Sequence, residues 1–514
     1  MMPVPNGTRK TYEELLARAK NMAVIRSTAS MMNWDSETYM PPRGIGIRSE
    51  QLAWLDLMAH RELMDPEFLR LLSTIESDNN IGLFGFDERR NLHLLRRAYN
   101  ESAKLPEKLV TDLARQQTLS VGTWKKAKVA KDFALFRDDL SKNIVLKKEL
   151  AGILMTVKGT KTDYDALIDI YEPGMTSDKI SEVFSDMREG LMKVVSKIEK
   201  SGTKPDLSIL HRHISLEAQK KISRSLTDFI GFETNGENSG GRLDESEHPF
   251  TNGYYEDVRI TTHYYTDRFA TSLFSVLHEG GHALYEQNTP AGWIYQPIGG
   301  ASSYGVHESQ SRFVENVIGR SPEFLSHILP KLRRITGKAL RGVKSSDFVL
   351  AVNNVEASKI RTEADEVTYG LHVIIRFEIE RDIFAGKAEV DELPQLWNEK
   401  YSKYLGVDIE NDSEGLMQDI HWSGGMFGYF PSYALGNIYG GMFLEKMNMD
   451  LPGWKTSIRA GDFAPVKDWL VANVHSKGDL YNPADLVKTV TGKEISIDPF
   501  IAYLNRKFGD IYGF

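Results

Sequence analysis

Residues 273–287 read LFSVLHEGGHALYEQ. Leu273, Val276, Leu277 and Leu284 recur at the spacing of one helical face, yet Gly280 and Gly281 stand side by side in the middle. Each glycine in a helix interior costs about 0.8–1.0 kcal/mol relative to alanine. The pair lies between His278 and His282, with Glu279 beside the first histidine, in the pattern H-E-x-x-H. Residues four apart on an α-helix share a face, one turn apart, so both imidazoles can reach one Zn2+ at about 2.0–2.1 Å each. Glu279 is placed to take a proton from water on such a metal. A missing Cβ lets another backbone come close, so Gly281 is expected to face a neighbouring helix or strand, and Gly280 to matter less.

A catalytic zinc takes three protein ligands and leaves a fourth position open. An extended histidine motif would put Gly at 285 and His at 288; the chain has Tyr285 and Asn288. Cysteine is absent from the whole chain, so a carboxylate must complete the set. Glu286 sits one turn beyond His282 on the same helix, too far along the axis to converge easily. Glu308 and Glu315 follow on a later helical segment, HESQSRFVENVI, and both remain open, with spacing favouring Glu308.

The first half of the chain reads as helix after helix. TYEELLARAKNMAVI opens with a capping-box spacing from Thr11 to Glu14, and Pro106 stands where a first helical turn tolerates it. The lysines of WKKAKVAK (Trp124–Lys131) read as a solvated helix face. Residues 234–253, TNGENSGGRLDESEHPFTNG, form the clearest loop, an insertion near a cleft. DVRITTHYY then alternates Val258, Ile260 and Thr262 with polar residues, as a strand does. Helical texture resumes to the end, interrupted by the Gly- and aromatic-rich HWSGGMFGYFPSYALGNIYGG. The expectation is a mainly α fold: a single domain over 1–514 with a helical part at about 1–233 and a catalytic part at about 246–440. A small β element at 257–265 lies beside the zinc helix.

With 71 acidic against 63 basic residues and a net charge of −8, the chain is no general nucleic-acid or anionic-membrane binder. No signal-type apolar segment opens it and no run approaches the ~20 apolar residues of a membrane span. A soluble, cytoplasmic protein is expected.

Beyond the zinc helix, further stretches carry a resemblance. They are NWDSETYMPPRGIGIRSEQLAWL at 33–55, HPF at 248–250, DVRIT at 257–261, HESQ at 307–310, IRTEAD at 360–365 and GLMQDIHW at 415–422. In type and order they resemble the motifs of carboxypeptidase Taq-type metallocarboxypeptidases, helical gluzincins. The resemblance implies zinc or cobalt on His278, His282 and Glu308, with Glu279 as general base. It also implies release of single residues from peptides with a free C-terminus, in a deep groove of a mostly helical homodimer. An oligopeptide endopeptidase with the same zinc site is the alternative. A catalytically silent scaffold is disfavoured, because a binding module needs no base beside the metal. The His2Glu set suits zinc without excluding cobalt or manganese.

A carboxypeptidase must also hold the terminal carboxylate, which a guanidinium fork fits well. Arg361 and Arg259 are the arginines in these motifs, and Asp365 is expected to orient Arg361 through an i,i+4 pair. The oxyanion of the tetrahedral intermediate needs a donor besides the metal: His421, Tyr429 and Tyr433 are the candidates. Asp419 and His307 are expected to orient the catalytic imidazole and the metal ligands.

Overall fold

The helical texture of the first 230 residues becomes a succession of long helices, among them Asn6–Thr38, Ser177–Ser201 and Leu216–Ile230. The structure, a computed structural model, describes residues 4–77 and 80–514. The first helix starts six residues earlier than the capping-box spacing predicts, at Asn6 rather than Tyr12. Pro5 flanks its start, where a missing N–H costs nothing, and Thr11 lies in the second turn, its hydroxyl donating to the Gly7 carbonyl at 3.0 Å. Pro106 likewise sits just outside its helix, which begins at Glu107. Lys128 is not a free surface charge: it donates to the Gln418 carbonyl at 2.7 Å across the ring of Trp124.

The segment read as a loop contains two strands. β1 (Gly241–Glu245) and β2 (Thr251–Tyr254) join β3 (Asp257–Thr262) in a sheet of order β1-β3-β2. β1 runs parallel to β3, and β2 antiparallel to it. Both added strands are short and half-exposed, so they lack the alternation that reveals a strand in sequence.

Register fixes what each face of the sheet meets. Thr251 pairs with Ile260 and Asn252 with Arg259. Thr251 donates to Glu279 of the helix Phe269–Gln287, whereas Asn252 donates to the Ser30 carbonyl of the first helix at 2.9 Å. The sheet therefore lies between the first helix and the helix carrying both histidines, hereafter the histidine helix.

Two large apolar cores, with a small third cluster at Leu109, Leu150, Leu154 and Ala166, hold the described residues. One draws on residues from Trp124 to Tyr512 and surrounds the histidine helix; the other joins Tyr12, Phe68, Leu72, Phe84 and Leu92 among the N-terminal helices. Polar contacts bind the second to the first, including Arg90 to Asp479 at 2.6 Å and Asn91 to Gln296 at 2.6 Å.

The histidine helix is buried on nearly every side, and the glycines answer to that crowding. A Cβ on Gly281 would stand 2.5 Å from the Gln310 carbonyl oxygen and 2.7 Å from the Ser311 Cα, backbone atoms of the helix Tyr304–Arg312, hereafter the glutamate helix. At Gly280 a Cβ meets only the tip of the Ile230 side chain. Gly281 thus packs backbone to backbone, as its position between the histidines predicts. Gly281→Val is expected to destabilise the fold by at least the roughly 1–3 kcal/mol typical of overpacking and to lower metal content. Gly280→Ala should cost less, because a side-chain end can turn away. Urea denaturation with metal analysis checks both; two harmless variants would refute the close-approach explanation.

Candidate metal centre and active site

The glutamate helix runs into a π-helical turn, Phe313–Gly319. This widening places Glu308 and Glu315 on different sides of His278. Glu308 Oε2 lies 3.8 Å from His278 Nε2 and 3.5 Å from His282 Nε2. These three donors form the metal-competent cluster found among the described residues. Ligands at about 2.0–2.1 Å in a tetrahedron stand roughly 3.3 Å apart, so the set fits a small divalent cation with little adjustment. Glu315 Oε2 instead meets His278 Nδ1 at 2.9 Å. Accepting a proton there leaves the Nε2 lone pair facing the cluster, the usual support of a metal-binding histidine.

Glu308 is itself held. Arg312, one turn on, donates Nε to its Oε1 at 2.8 Å, and the Arg312 guanidinium stacks over Tyr369 at 4.1 Å. Arg320 reaches Glu315 at 3.0 Å. Burial opposes the charge on Glu308, but Arg312 and the two imidazoles outweigh it and hold the carboxyl well below the usual carboxylate range. Burial likewise opposes protonation of His278, while Glu308, Glu315 and Glu279 raise its pKa to about 8. For His282, burial with His307 alongside lowers the pKa to about 3.

Glu279 is buried, and burial pushes its carboxyl upward. The Thr251 hydroxyl donates to its Oε2 at 2.6 Å and to its carbonyl at 3.0 Å. That anchor, supplied by β2, fixes one carboxylate oxygen and leaves the other for chemistry. Thr251 directly follows HPF in the sequence, and that adjacency is the one signal that could have singled it out.

The remaining site residues divide between those near the metal cluster and those held elsewhere. Rings run from the glutamate helix to Arg361: Tyr304 packs on Tyr429 at 5.5 Å, Tyr429 on His421 at 5.6 Å and on Tyr433 at 5.1 Å. His421 Nε2 lies 3.4 Å from the Tyr433 hydroxyl, its Nδ1 is buried without a partner, and burial lowers its pKa to about 3. The Arg361 guanidinium sits 5.0 Å from the Tyr433 ring.

Asp365 does not orient Arg361. Residues 361–363 form a single 3-10 turn and Ala364 is extended, so no helix carries an i,i+4 pair across 361–365. Asp365 instead accepts from the Val367 and Thr368 N–H groups, in the turn that precedes the helix Tyr369–Phe384. Asp419 takes the role expected of Asp365, bonding Arg361 Nε at 3.0 Å and Nη2 at 2.9 Å, with Arg376 3.1 Å away. No hydrogen bond joins Asp419 to His421 among the described residues.

Arg259 bonds Asp257 at 2.8 Å and stacks on Trp34 at 4.3 Å, on the sheet face turned from the histidine helix. His307 does not bond a metal ligand: it stacks on His282 at 4.3 Å and meets Glu286 at 2.9 Å. Glu286, His307, Tyr304 and Tyr171 line an open cavity of about 620 Å3 beside the cluster.

Comparison with known proteins agrees with this geometry. The family described as carboxypeptidase Taq (M32) metallopeptidase matches residues 14–508. The chain is 39% identical to thermostable carboxypeptidase 1 of Thermus thermophilus, over 98% of this chain and 99% of that protein. It is 36% identical to carboxypeptidase 1 of Bacillus subtilis, over 98% and 99%. The crystal structure of the M32 carboxypeptidase of Deinococcus radiodurans superposes with a TM-score of 0.94 at 30% identity, covering 98% of this chain and all of that one, 100%. With helices, sheet and metal-competent residues in place, the chain belongs to the carboxypeptidase Taq (M32) metallopeptidases, a family of metal-dependent carboxypeptidases.

Proposed function

We propose that this enzyme releases single amino acids from the C-termini of peptides at a zinc site, which cobalt can also fill, held by His278, His282 and Glu308. The observation that carries this reading is the meeting of two Nε2 atoms and one carboxylate oxygen beside a buried glutamate. The metal supplies Lewis acidity, polarising the scissile carbonyl and acidifying water. Glu279, its Oε2 pinned by Thr251, holds the proton taken from the attacking water at its other oxygen and passes it to the leaving amine. Neutral His421 and the Tyr433 hydroxyl donate toward the oxyanion, with Tyr429 packing both. Arg361, oriented by Asp419, faces the terminal carboxylate with the N–H groups that Asp419 and Tyr369 leave free. The peptide upstream of the scissile bond then runs over Tyr304 into the cavity beside His307.

The same reading treats the chain as one catalytic unit, cytoplasmic and dimeric. Ile45, Ile47 and Trp54, 59%, 70% and 60% exposed on one helix, supply apolar surface for a partner copy. Light scattering that returns one chain mass of 58.2 kDa would remove the dimer.

The decisive experiment compares one peptide as free acid and as C-terminal amide, before and after exhaustive chelation. The free acid should lose its terminal residue, the amide should react far more slowly, and chelation should abolish both until Zn2+ or Co2+ is returned. Equal cleavage of the two forms at internal bonds would establish the endopeptidase instead. Turnover that survives confirmed metal removal would overturn the site altogether.

A further inference from the structure

Glu172 closes the helix Asp163–Tyr171 and is completely buried, far in sequence from every motif residue. The groups facing it are the Gly305 N–H and the hydroxyls of Ser432, Ser303 and Tyr439, and no cation is among them. Gly305 donates to Oε1 in a very short contact, and Tyr439 donates to Oε2 at 3.3 Å. Burial pushes the carboxyl up to about 7, and those donors keep it from rising further. An isolated buried carboxyl is costly, so its placement calls for a reason.

Its principal donor belongs to the first turn of the glutamate helix, one turn ahead of Glu308. Tyr171, the preceding residue, sets its ring edge-on to Tyr304 at 5.4 Å. Residues 171–172 therefore grip residues 304–305. From the other side the helix Pro431–Asp450 closes in at Gly436, where a Cβ would stand 2.9 Å from the Glu308 Cβ and 3.1 Å from the Gly305 carbonyl. Gly305 has no room either: its Cβ would lie 2.5 Å from Glu172 Oε1.

We propose that Glu172 is a positioning residue for the metal centre: by accepting the Gly305 N–H it seats the first turn of the glutamate helix, and so sets where Glu308 meets His278 and His282. This rests on the reading of Glu308 as a metal ligand. Glu172 touches neither metal nor substrate, and acts through backbone placement alone.

Co2+ titration of the metal-free full-length protein tests it, read by the visible absorption of bound Co2+ and by competition with a chelator. Wild type should bind one Co2+ that His278→Ala loses; if it does not, the reading of the centre fails, and this proposal with it. Glu172→Ala should weaken Co2+ binding about 10-fold or more, the range for residues supporting metal ligands, and alter the absorption envelope. Glu172→Gln keeps an oxygen for the Gly305 N–H and should recover most of the affinity. Gly305→Ala should weaken binding as Glu172→Ala does, and the double variant should bind no worse than Gly305→Ala, because both act through one contact. Should Glu172→Ala not fold, Glu172→Gln against Gly305→Ala carries the comparison. Variants that unfold more easily yet bind Co2+ with wild-type affinity and spectrum would overturn the proposal, leaving Glu172 a stabilising residue only.

Discussion

Replacing Glu279 by Gln is expected to lower kcat about 10^2–10^4-fold, the span of a lost general base, while metal content and KM stay close to wild type. The amide is nearly isosteric and can still accept the Thr251 hydroxyl, which meets Glu279 Oε2 at 2.6 Å. What it cannot do is accept a proton and return it. His278, His282 and Glu308 are untouched, so the metal should remain at one per chain by elemental analysis. Glu308→Gln forms the contrast, since it removes a ligand charge from a cluster that Arg312 holds at 2.8 Å and should lose the metal itself. Thr251→Val separates anchoring from chemistry: it leaves the base in place but frees its orientation, and should cost less than Glu279→Gln. Unchanged turnover in Glu279→Gln would assign the proton transfer elsewhere.

The two ends of this site differ in how they could be read from sequence. The histidine pair is local: four residues on one helix determine which side chains share a face, so the pattern alone brings them together. The role of Gly281 was legible for the same reason, because a glycine between two histidines of an apolar helix points to a close backbone, which Gly281 meets and Gly280 does not. Glu308 and Glu315 are both candidates in the sequence, and spacing favours Glu308 without excluding Glu315, since a regular helix puts residues seven apart on one face. The π-helical turn at 313–319 breaks that equivalence, and no residue type announces it. Thr251 and Glu172 were not legible at all. Thr251 depends on the register of a four-residue strand, and Glu172 on a contact between a helix end and a glycine 133 residues away. The N-terminal core went unread for a related reason: helical periodicity announces an apolar face but not which other face covers it.

The arginine cluster is where the sequence reading pairs Arg361 with Asp365 and the structure pairs it with Asp419, and it carries the second large prediction. Asp419→Asn is expected to destabilise the protein by about 3–5 kcal/mol, the cost of leaving buried charge without its partner. Asp419 is 8% exposed and bonds Arg361 through both Nε and Nη2. Its second neighbour, Arg376, is 1% exposed and stacked 4.2 Å from Phe430, 4.8 Å from Trp397 and 4.9 Å from Trp422. Asp419 is the carboxylate within ion-pair distance of that guanidinium, at 3.1 Å. Aromatic faces attract a cation but accept no hydrogen bond of normal strength, so two guanidiniums depend on one carboxylate. Burial pushes the Asp419 carboxyl upward, yet Arg376 and Arg361 overcome it and hold its pKa far below the usual range. A carboxyl depressed in the folded state stabilises fully above its unfolded pKa of about 3.9 and loses that contribution as pH falls toward the folded value. Wild type and Asp419→Asn should therefore differ most near neutrality and converge as the pH drops below about 4, in urea unfolding followed across pH. At neutral pH the variant should also lose discrimination between free-acid and amidated peptides, because Arg361 no longer has a fixed direction. Asp419→Glu keeps the charge and should recover part of both effects. A variant as stable as wild type at pH 7 would mean that the aromatic cage, and not the carboxylate, holds these arginines in place.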